Sequence, residues 1–311
     1  MACFKPLTAY QTTDGSIVWY ESKKFDVAKT LTLPCGQCVG CRLERSRQWA
    51  CRCMHEASLY KHNSFITLTY DDDHLPSDRS LHYEDFQKFM KRLRKRFKGL
   101  ELGKNPDLKE SYPIRFYMAG EYGEQYGRPH YHACIFNYDF PDKTLWKRTP
   151  AGSKIYRSKS LEELWPFGYS SIGDVNFQSA AYVARYIMKK ITGKEADNYY
   201  ESTNMETGEI VNLTPEFNKM SLKPGIGYDW YTSFKDDVYP HDYVVINGKK
   251  VKPPKFYDRK FNDEYPLEME EIKHHRYTDA LKRQADNTPE RLAVREIVSR
   301  SKLSKLQRTI D

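Results

Sequence analysis

No stretch of this chain approaches the ~18 consecutive apolar residues of a membrane span, and its mean hydropathy is −0.79. A membrane-spanning role is therefore set aside. There is no Walker-type or GxGxxG phosphate loop, which speaks against ATP-driven and dinucleotide-dependent chemistry. Internal repeats are also missing, so no solenoid or propeller is expected. The opening residues Met1-Ala2-Cys3-Phe4-Lys5-Pro6 lack the apolar core of a signal peptide. The expectation is a protein that stays in a reducing cytoplasm, where its seven cysteines point to metal or free thiols rather than disulfides.

What the chain does contain is charge and aromatic rings. It has 50 Lys+Arg against 42 Asp+Glu, a net +8, and 24 tyrosines among 311 residues. Basic residues interleaved with aromatics suit single-stranded nucleic acid, whose bases stack on rings while its phosphates meet cations. A Tyr-rich amphipathic core would give the same composition.

Pro34-Cys35-Gly36-Gln37-Cys38-Val39-Gly40-Cys41 is a CxxCxxC with glycines suited to the tight turns of a metal knuckle. A structural zinc site needs a fourth ligand. Cys3 is favoured because it would tie down the N-terminus; Cys51, Cys53 and His55 are the alternatives, and an iron–sulfur cluster would accept the same thiolates. A helix is predicted from Arg42 to about Tyr60, with Arg42, Arg45, Arg47 and Arg52 facing either solvent or phosphate.

Asn63–Tyr70 reads as a strand, and Tyr83–Lys98 as a helix with a buried Phe86/Phe89/Met90/Leu93/Phe97 stripe and a basic opposite face. Residues 114–121 and 127–136 form two further strands. Gly123 and Gly127 lie in their short connection, so the two should pair as an antiparallel hairpin. On a strand, His130 and His132 share one face, with Cβ atoms roughly 7 Å apart. The hairpin brings Glu121 beside them, giving a three-ligand site with open positions, as catalytic metals need.

After Pro141 a polar loop, a short helix near Leu161–Trp165 and a strand near Tyr169–Gly173 are expected. In the helix from Phe177 to Ile191, Tyr182, Arg185, Tyr186 and Lys189 fall within about 100° of arc. Ala180, Val183, Ala184, Ile187 and Ile191 occupy the core-facing side. Successive phenols one turn apart could serve one site in turn, each with a cation three residues on. Residues 194–268 read as long loops, and helices return from about Leu267 to Gln307, broken near Asn287-Thr288-Pro289. The last helix, with Arg291, Arg295 and Arg300, is either a DNA-contacting appendage or an exposed helix without a specific role.

Phe65–Tyr70, then Pro129-His130-Tyr131-His132, then Tyr182–Lys189 follow the order of the three motifs of rolling-circle replication initiators. The chain resembles the two-tyrosine branch of the HUH endonucleases, and with its cysteine-rich start is similar to the initiators of microviruses of the gokushovirus group. The resemblance implies an α+β fold: an RRM/ferredoxin-like antiparallel sheet with helices on one face, the histidine strand central and the tyrosine helix near it. It divides the chain into a cysteine-rich segment (1–60), an endonuclease core (61–195) and a loop-rich region with a helical C-terminal extension (196–311).

His130, His132 and Glu121 then resemble the ligands of a catalytic Mg²⁺ or Mn²⁺. Tyr186 and Tyr182 resemble nucleophiles, with Lys189 and Arg185 beside them and Tyr186 first because it matches YxxK. Cys3, Cys35, Cys38 and Cys41 lie outside the catalytic pattern and should be structural. The implied partners are single-stranded and origin DNA and the host helicase and polymerase, in the cytoplasm of an infected bacterium. A relaxase or single-strand transposase would share the chemistry. A zinc-stabilised nucleic-acid-binding regulator is the non-enzymatic alternative.

Overall fold

The computed structural model describes residues 3–22, 24–96, 113–123, 126–150, 152–185, 196, 199–204 and 207–304. The chain forms two compact units, Met1–Arg45 with Phe261–Gln307, and Ser46–Lys260 with Arg308–Asp311.

In the first unit, β1 (Leu7–Thr12), β2 (Ile17–Val18) and β3 (Val27–Leu33) form an antiparallel sheet in the order β2-β1-β3. The cysteine knuckle follows and leads into α1 (Val39–Ser58). The helices Pro266–Leu281 and Pro289–Ser304 complete this unit, each starting at a proline, where the missing N–H costs nothing. Three arginines of the last helix pair within the chain: Arg291 and Arg295 with Asp286, and Arg300 with Glu296.

The second unit is built on β4 (Asn63–Tyr70), β5 (Arg115–Tyr122), β6 (Pro129–Phe136), β7 (Thr144–Arg148), β8 (Lys154–Arg157) and β9 (Gly168–Gly173). Farther along the chain, β10 (Glu201–Thr203) pairs with β11 (Ile210–Asn212), and β12 (Phe217–Met220) joins the main sheet at its edge. The seven strands run β12-β5-β6-β4-β9-β8-β7, every neighbour antiparallel. The histidine strand β6 is interior, between β5 and β4, as expected.

Helices cover both faces of this sheet, which corrects the one-sided arrangement. On one face α2 (Tyr83–Arg96) and α3 (Lys159–Leu164) pack Phe86, Phe89, Leu93 and Leu161 against Ile66, Leu68, Tyr131 and Ile135. On the other, α4 (Phe177–Arg185) and α1 from Ser46 onward set Ala180, Val183, Ala184, Ala50 and Cys53 against Phe65, Tyr117, Cys134 and Phe136. The cause is visible in β6, where Tyr131 to Phe136 are buried without a break. A strand apolar on both sides must be covered on both sides. The basic face of α2 is partly spent on packing: Arg92 donates to the Leu164 carbonyl, Arg94 to that of Ile114, and Arg96 pairs with Glu163.

Two loop assignments are corrected. The stretch after Pro141 holds the hairpin β7–β8, whose outer strand is exposed at all five positions and so carries no apolar alternation to read. Residues 194–268 hold β10 to β12, the helix Tyr228–Val238, the hairpin Val244–Ile246/Lys249–Val251 and the helix Lys255–Glu264.

Within the second unit His55 is buried, its ring stacked 3.5 Å from that of Trp230 and its Nδ1 2.9 Å from the Tyr257 hydroxyl. Burial pulls its pKa from 6.5 to about 3, so it sits neutral and accepts the phenol's proton. A lowered histidine pKa confers stability that is whole above the unfolded value near 6.5 and drains away as pH falls toward the folded one. Urea midpoints of the wild type should fall by the equivalent of a few kcal/mol between about pH 7 and pH 4, and His55→Gln should flatten that decline. A parallel decline in the two proteins would contradict it.

Candidate active site

Pairing register assembles the site. Glu121 of β5 stands opposite His130 of β6, Ala119 opposite His132, and Thr67 of β4 opposite His132 on the other side. Alternation then puts Glu121, both imidazoles and Thr67 on the face that α4 covers. One carboxylate oxygen, Glu121 Oε1, lies 2.6 Å from His130 Nε2 and 2.9 Å from His132 Nε2. Glu121 and His132 are each 2% exposed, so the site is sealed from the sheet side. Burial alone would raise the Glu121 carboxyl. The hydrogen bonds and charge of His130 and His132 outweigh it and hold the pKa down to about 2.

The far nitrogens of the rings are also fixed. His130 Nδ1 lies 3.0 Å from the Arg128 carbonyl, which can only accept, so Nδ1 carries a proton. Nε2 therefore faces the carboxylate either with a second proton or with a lone pair aimed at a shared cation. His132 Nδ1 meets Thr67 Oγ1 at 2.9 Å. Outer partners that fix ring and tautomer are the usual support of metal-binding histidines. The three donor atoms gather within 4.8 Å of one another and can hold a metal ion. A hard carboxylate oxygen with two imidazoles suits a divalent cation of the Mg²⁺ or Mn²⁺ kind, the imidazoles favouring Mn²⁺. Sequence reasoning missed Thr67 and the Arg128 carbonyl. The threonine was findable, since Thr67 occupies the same face of its strand as the histidines do of theirs.

If Thr67 orients His132, Thr67→Val should weaken Mn²⁺ binding by about 10–100-fold without unfolding the chain. Isothermal titration of the purified protein with MnCl₂ measures this, and an unchanged affinity would remove Thr67 from the account.

The ring of Tyr182, on α4, stands edge-on to His132 at 5.1 Å between centroids. It also meets Phe65 at 6.5 Å. Ala180, Val183 and Ala184 turn the opposite way into the core, which leaves the tyrosine side of the helix toward the histidines. Arg185 closes the described part of α4, with Nε 3.4 Å from the Ala181 carbonyl. Tyr186 and Lys189 lie outside the described residues.

A second cluster lies in the first unit. Cys3, Cys35, Cys38 and Cys41 bring their sulfurs within 4.8 Å of one another. Thiolates 2.3 Å from a tetrahedral zinc would stand about 3.8 Å apart; Cys3 and Cys35 are 3.6 Å apart, Cys3 and Cys38 3.8 Å. The backbone N–H groups of Phe4, Cys35 and Cys38 each point at a sulfur at 3.3 Å. Burial raises the Cys38 thiol, but the N–H groups of Phe4 and Cys41 more than offset it and bring the pKa to about 6. Cys3 is thus the fourth member. Cys53 instead lies in the sheet-face core, and Cys51 packs 3.9 Å from His55.

Comparison with known proteins agrees with this arrangement. A family described as replication-associated protein ORF2 matches residues 63–191, the span from β4 through α4. Replication-associated protein VP4 of Bdellovibrio phage phiMH2K is 32% identical over 268 residues, 86% of this chain and 79% of that protein. Replication-associated protein ORF2 of Spiroplasma virus 4 is 31% identical over 96% of this chain and 90% of its own length. ORF4 of Chlamydia phage 1, also a replication-associated protein, is 30% identical over 83% of this chain and 62% of its own. No solved structure matches the chain.

Proposed function

The chain belongs to the microvirus-like replication-associated proteins of phages, and we propose that it initiates rolling-circle replication by nicking origin DNA with a tyrosine. The observation that carries this reading is the convergence of Glu121, His130 and His132 with the Tyr182 ring 5.1 Å from His132. A tyrosine oxygen forms a bond to the scissile phosphorus, the bond to the 3′ oxygen breaks, and that oxygen leaves with the electron pair and takes a proton. One phosphoester replaces another, so no nucleotide hydrolysis is needed. The products are a 5′-phosphotyrosine link and a 3′-OH that primes synthesis by the host helicase and polymerase in the bacterial cytoplasm. The second tyrosine cleaves the regenerated origin, and the freed 3′-OH attacks the first link to rejoin the strand.

Mg²⁺ or Mn²⁺ held by Glu121, His130 and His132 supplies Lewis-acid polarisation of the phosphodiester. Thr67 and the Arg128 carbonyl keep the imidazoles oriented, and the ionised Glu121 carboxylate keeps the site anionic before metal and DNA arrive. In the assignment we favour, Tyr186 with Lys189 makes the first attack and Tyr182 with Arg185 the second. Zinc held by the four cysteines is structural.

The test is a denaturing gel of the protein incubated with Mn²⁺ and tiled single-stranded oligonucleotides covering the phage genome. A covalent adduct lost in Tyr182→Phe/Tyr186→Phe and in His132→Ala is expected. Metal-independent binding with no adduct would replace this reading with that of a DNA-binding regulator. A requirement for paired hairpin ends would point to a transposase.

A further inference from the structure

Arg52 presents a charge that the proposed reaction leaves unused. Its residue is only 9% exposed, yet among the described residues no carboxylate pairs with it. Its guanidinium is clamped between two rings, 4.1 Å from the Trp49 centroid and 3.9 Å from that of Phe256. Trp49 in turn stacks on Tyr117 at 4.7 Å, so four planar groups lie in one pile. Nε donates to the Ile226 carbonyl at 2.9 Å, and this is the one hydrogen bond the described residues give the guanidinium. Burial pulls its pKa down from the ordinary arginine value, which marks the charge as costly to hold there.

The guanidinium's free edge borders a cavity of about 580 Å³, lined by residues from Trp49 to Lys260 of the second unit. Lys223 and Lys260 line it as well, Lys260 with Nζ 5.9 Å over the Tyr228 ring, and no Asp or Glu is among the described lining residues. A buried cation without a counter-charge is unfavourable unless a ligand supplies one. Stacking on both faces leaves the N–H fork aimed edgewise, the geometry that meets a phosphate with two parallel hydrogen bonds. Tyr117 and Glu121 lie on the same face of β5, about 13 Å apart at ~3.3 Å per residue. The cavity therefore opens on the sheet face that carries the candidate active site.

We propose that this cavity seats a backbone phosphate of the single-stranded DNA near the nick, gripped by Arg52 with Lys223 and Lys260. The assignment rests on the nicking function proposed above and adds the place where the strand is anchored. Arg52 is a binding residue here and touches no reacting atom.

Fluorescence anisotropy with 5′-fluorescein-labelled oligo(dT) in Mn²⁺-free buffer tests it, because a phosphate contact is independent of base sequence. Arg52→Met should weaken binding about tenfold and lower the slope of log Kd against log salt by about 0.7, the contribution of one single-strand phosphate. Arg52→Lys should restore the slope and only part of the affinity, since it keeps the charge and loses the fork. A role confined to packing would move the melting temperature and leave the salt slope alone.

Lys223→Met, at an exposed position, should lower the slope with the fold intact and decides the matter if Arg52→Met does not fold. Unchanged slopes in every folded variant overturn the proposal. Arg52-dependent binding of thymidine monophosphate with oligo(dT) binding untouched would reassign the cavity to a free nucleotide, and so also overturn it. The adduct assay separates the two claims. A wild type that neither binds oligo(dT) nor forms an adduct removes the nicking function itself, whereas adduct formation with unchanged slopes removes only the phosphate seat.

Discussion

Glu121→Gln is expected to slow covalent attachment to DNA by about 10³-fold while leaving oligo(dT) affinity within twofold of wild type. The substitution preserves shape and can still accept from one imidazole. It removes the anion that His130 and His132 converge on at 2.6 and 2.9 Å. With its pKa held to about 2, this carboxylate is ionised at any working pH, so the neutral amide is the one real change in charge. Lewis-acid stabilisation of several kcal/mol depends on that charge, and each 1.36 kcal/mol is a factor of ten in rate. Phosphate contacts elsewhere set DNA affinity, so binding should persist. Single-turnover gels over a range of Mn²⁺ measure the rate. A decrease of less than about tenfold would place the metal, or the chemistry, elsewhere.

The second large effect concerns the cysteine cluster. One equivalent of zinc per chain is expected by elemental analysis, lost in Cys38→Ser. Thiolate sites of this kind bind zinc with about 10–16 kcal/mol of apparent free energy, and that energy is folding energy. Cys3 and Cys35 are separated by β1 to β3, so releasing the metal frees the start of the chain and the knuckle together. Cys38→Ser, or prolonged chelation, should lower the melting temperature by at least about 10 °C. Circular dichroism with and without added ZnCl₂ reads it out. A metal-free wild type with an unshifted transition would mean that the four thiols merely pack, and iron in the elemental analysis would point to a cluster instead.

The sequence made the site legible because its signals are short-range. His130 and His132 are two residues apart on one strand, and Glu121 reaches them across a tight hairpin, so period-2 alternation and a glycine-bearing connection were enough to place the three together. The four-cysteine set was readable in the same way for Cys35, Cys38 and Cys41, while Cys3 required a bet on chain return. The features that escaped reading depend on long-range packing. β12 joins the edge beside β5 from some hundred residues downstream, with only four residues to announce it. The β7–β8 hairpin exposes its outer strand and shows no apolar alternation. Helices on both sheet faces follow from the unbroken burial of β6, which a run such as Tyr131–Phe136 hints at but does not assign to a partner. Arg52 looked like one of four arginines on a solvated helix, and its burial between Trp49 and Phe256 depends on a residue about two hundred positions away.

The most direct measurement of the central claim is peptide mapping of the adduct. The protein is incubated with Mn²⁺ and the cleaved oligonucleotide, digested with nuclease and protease, and examined by mass spectrometry. A nucleotide phosphate on the peptide carrying Tyr182 or Tyr186, absent from Tyr182→Phe/Tyr186→Phe, is the predicted result. An adduct on any other residue, or one that survives the double substitution, would contradict the account.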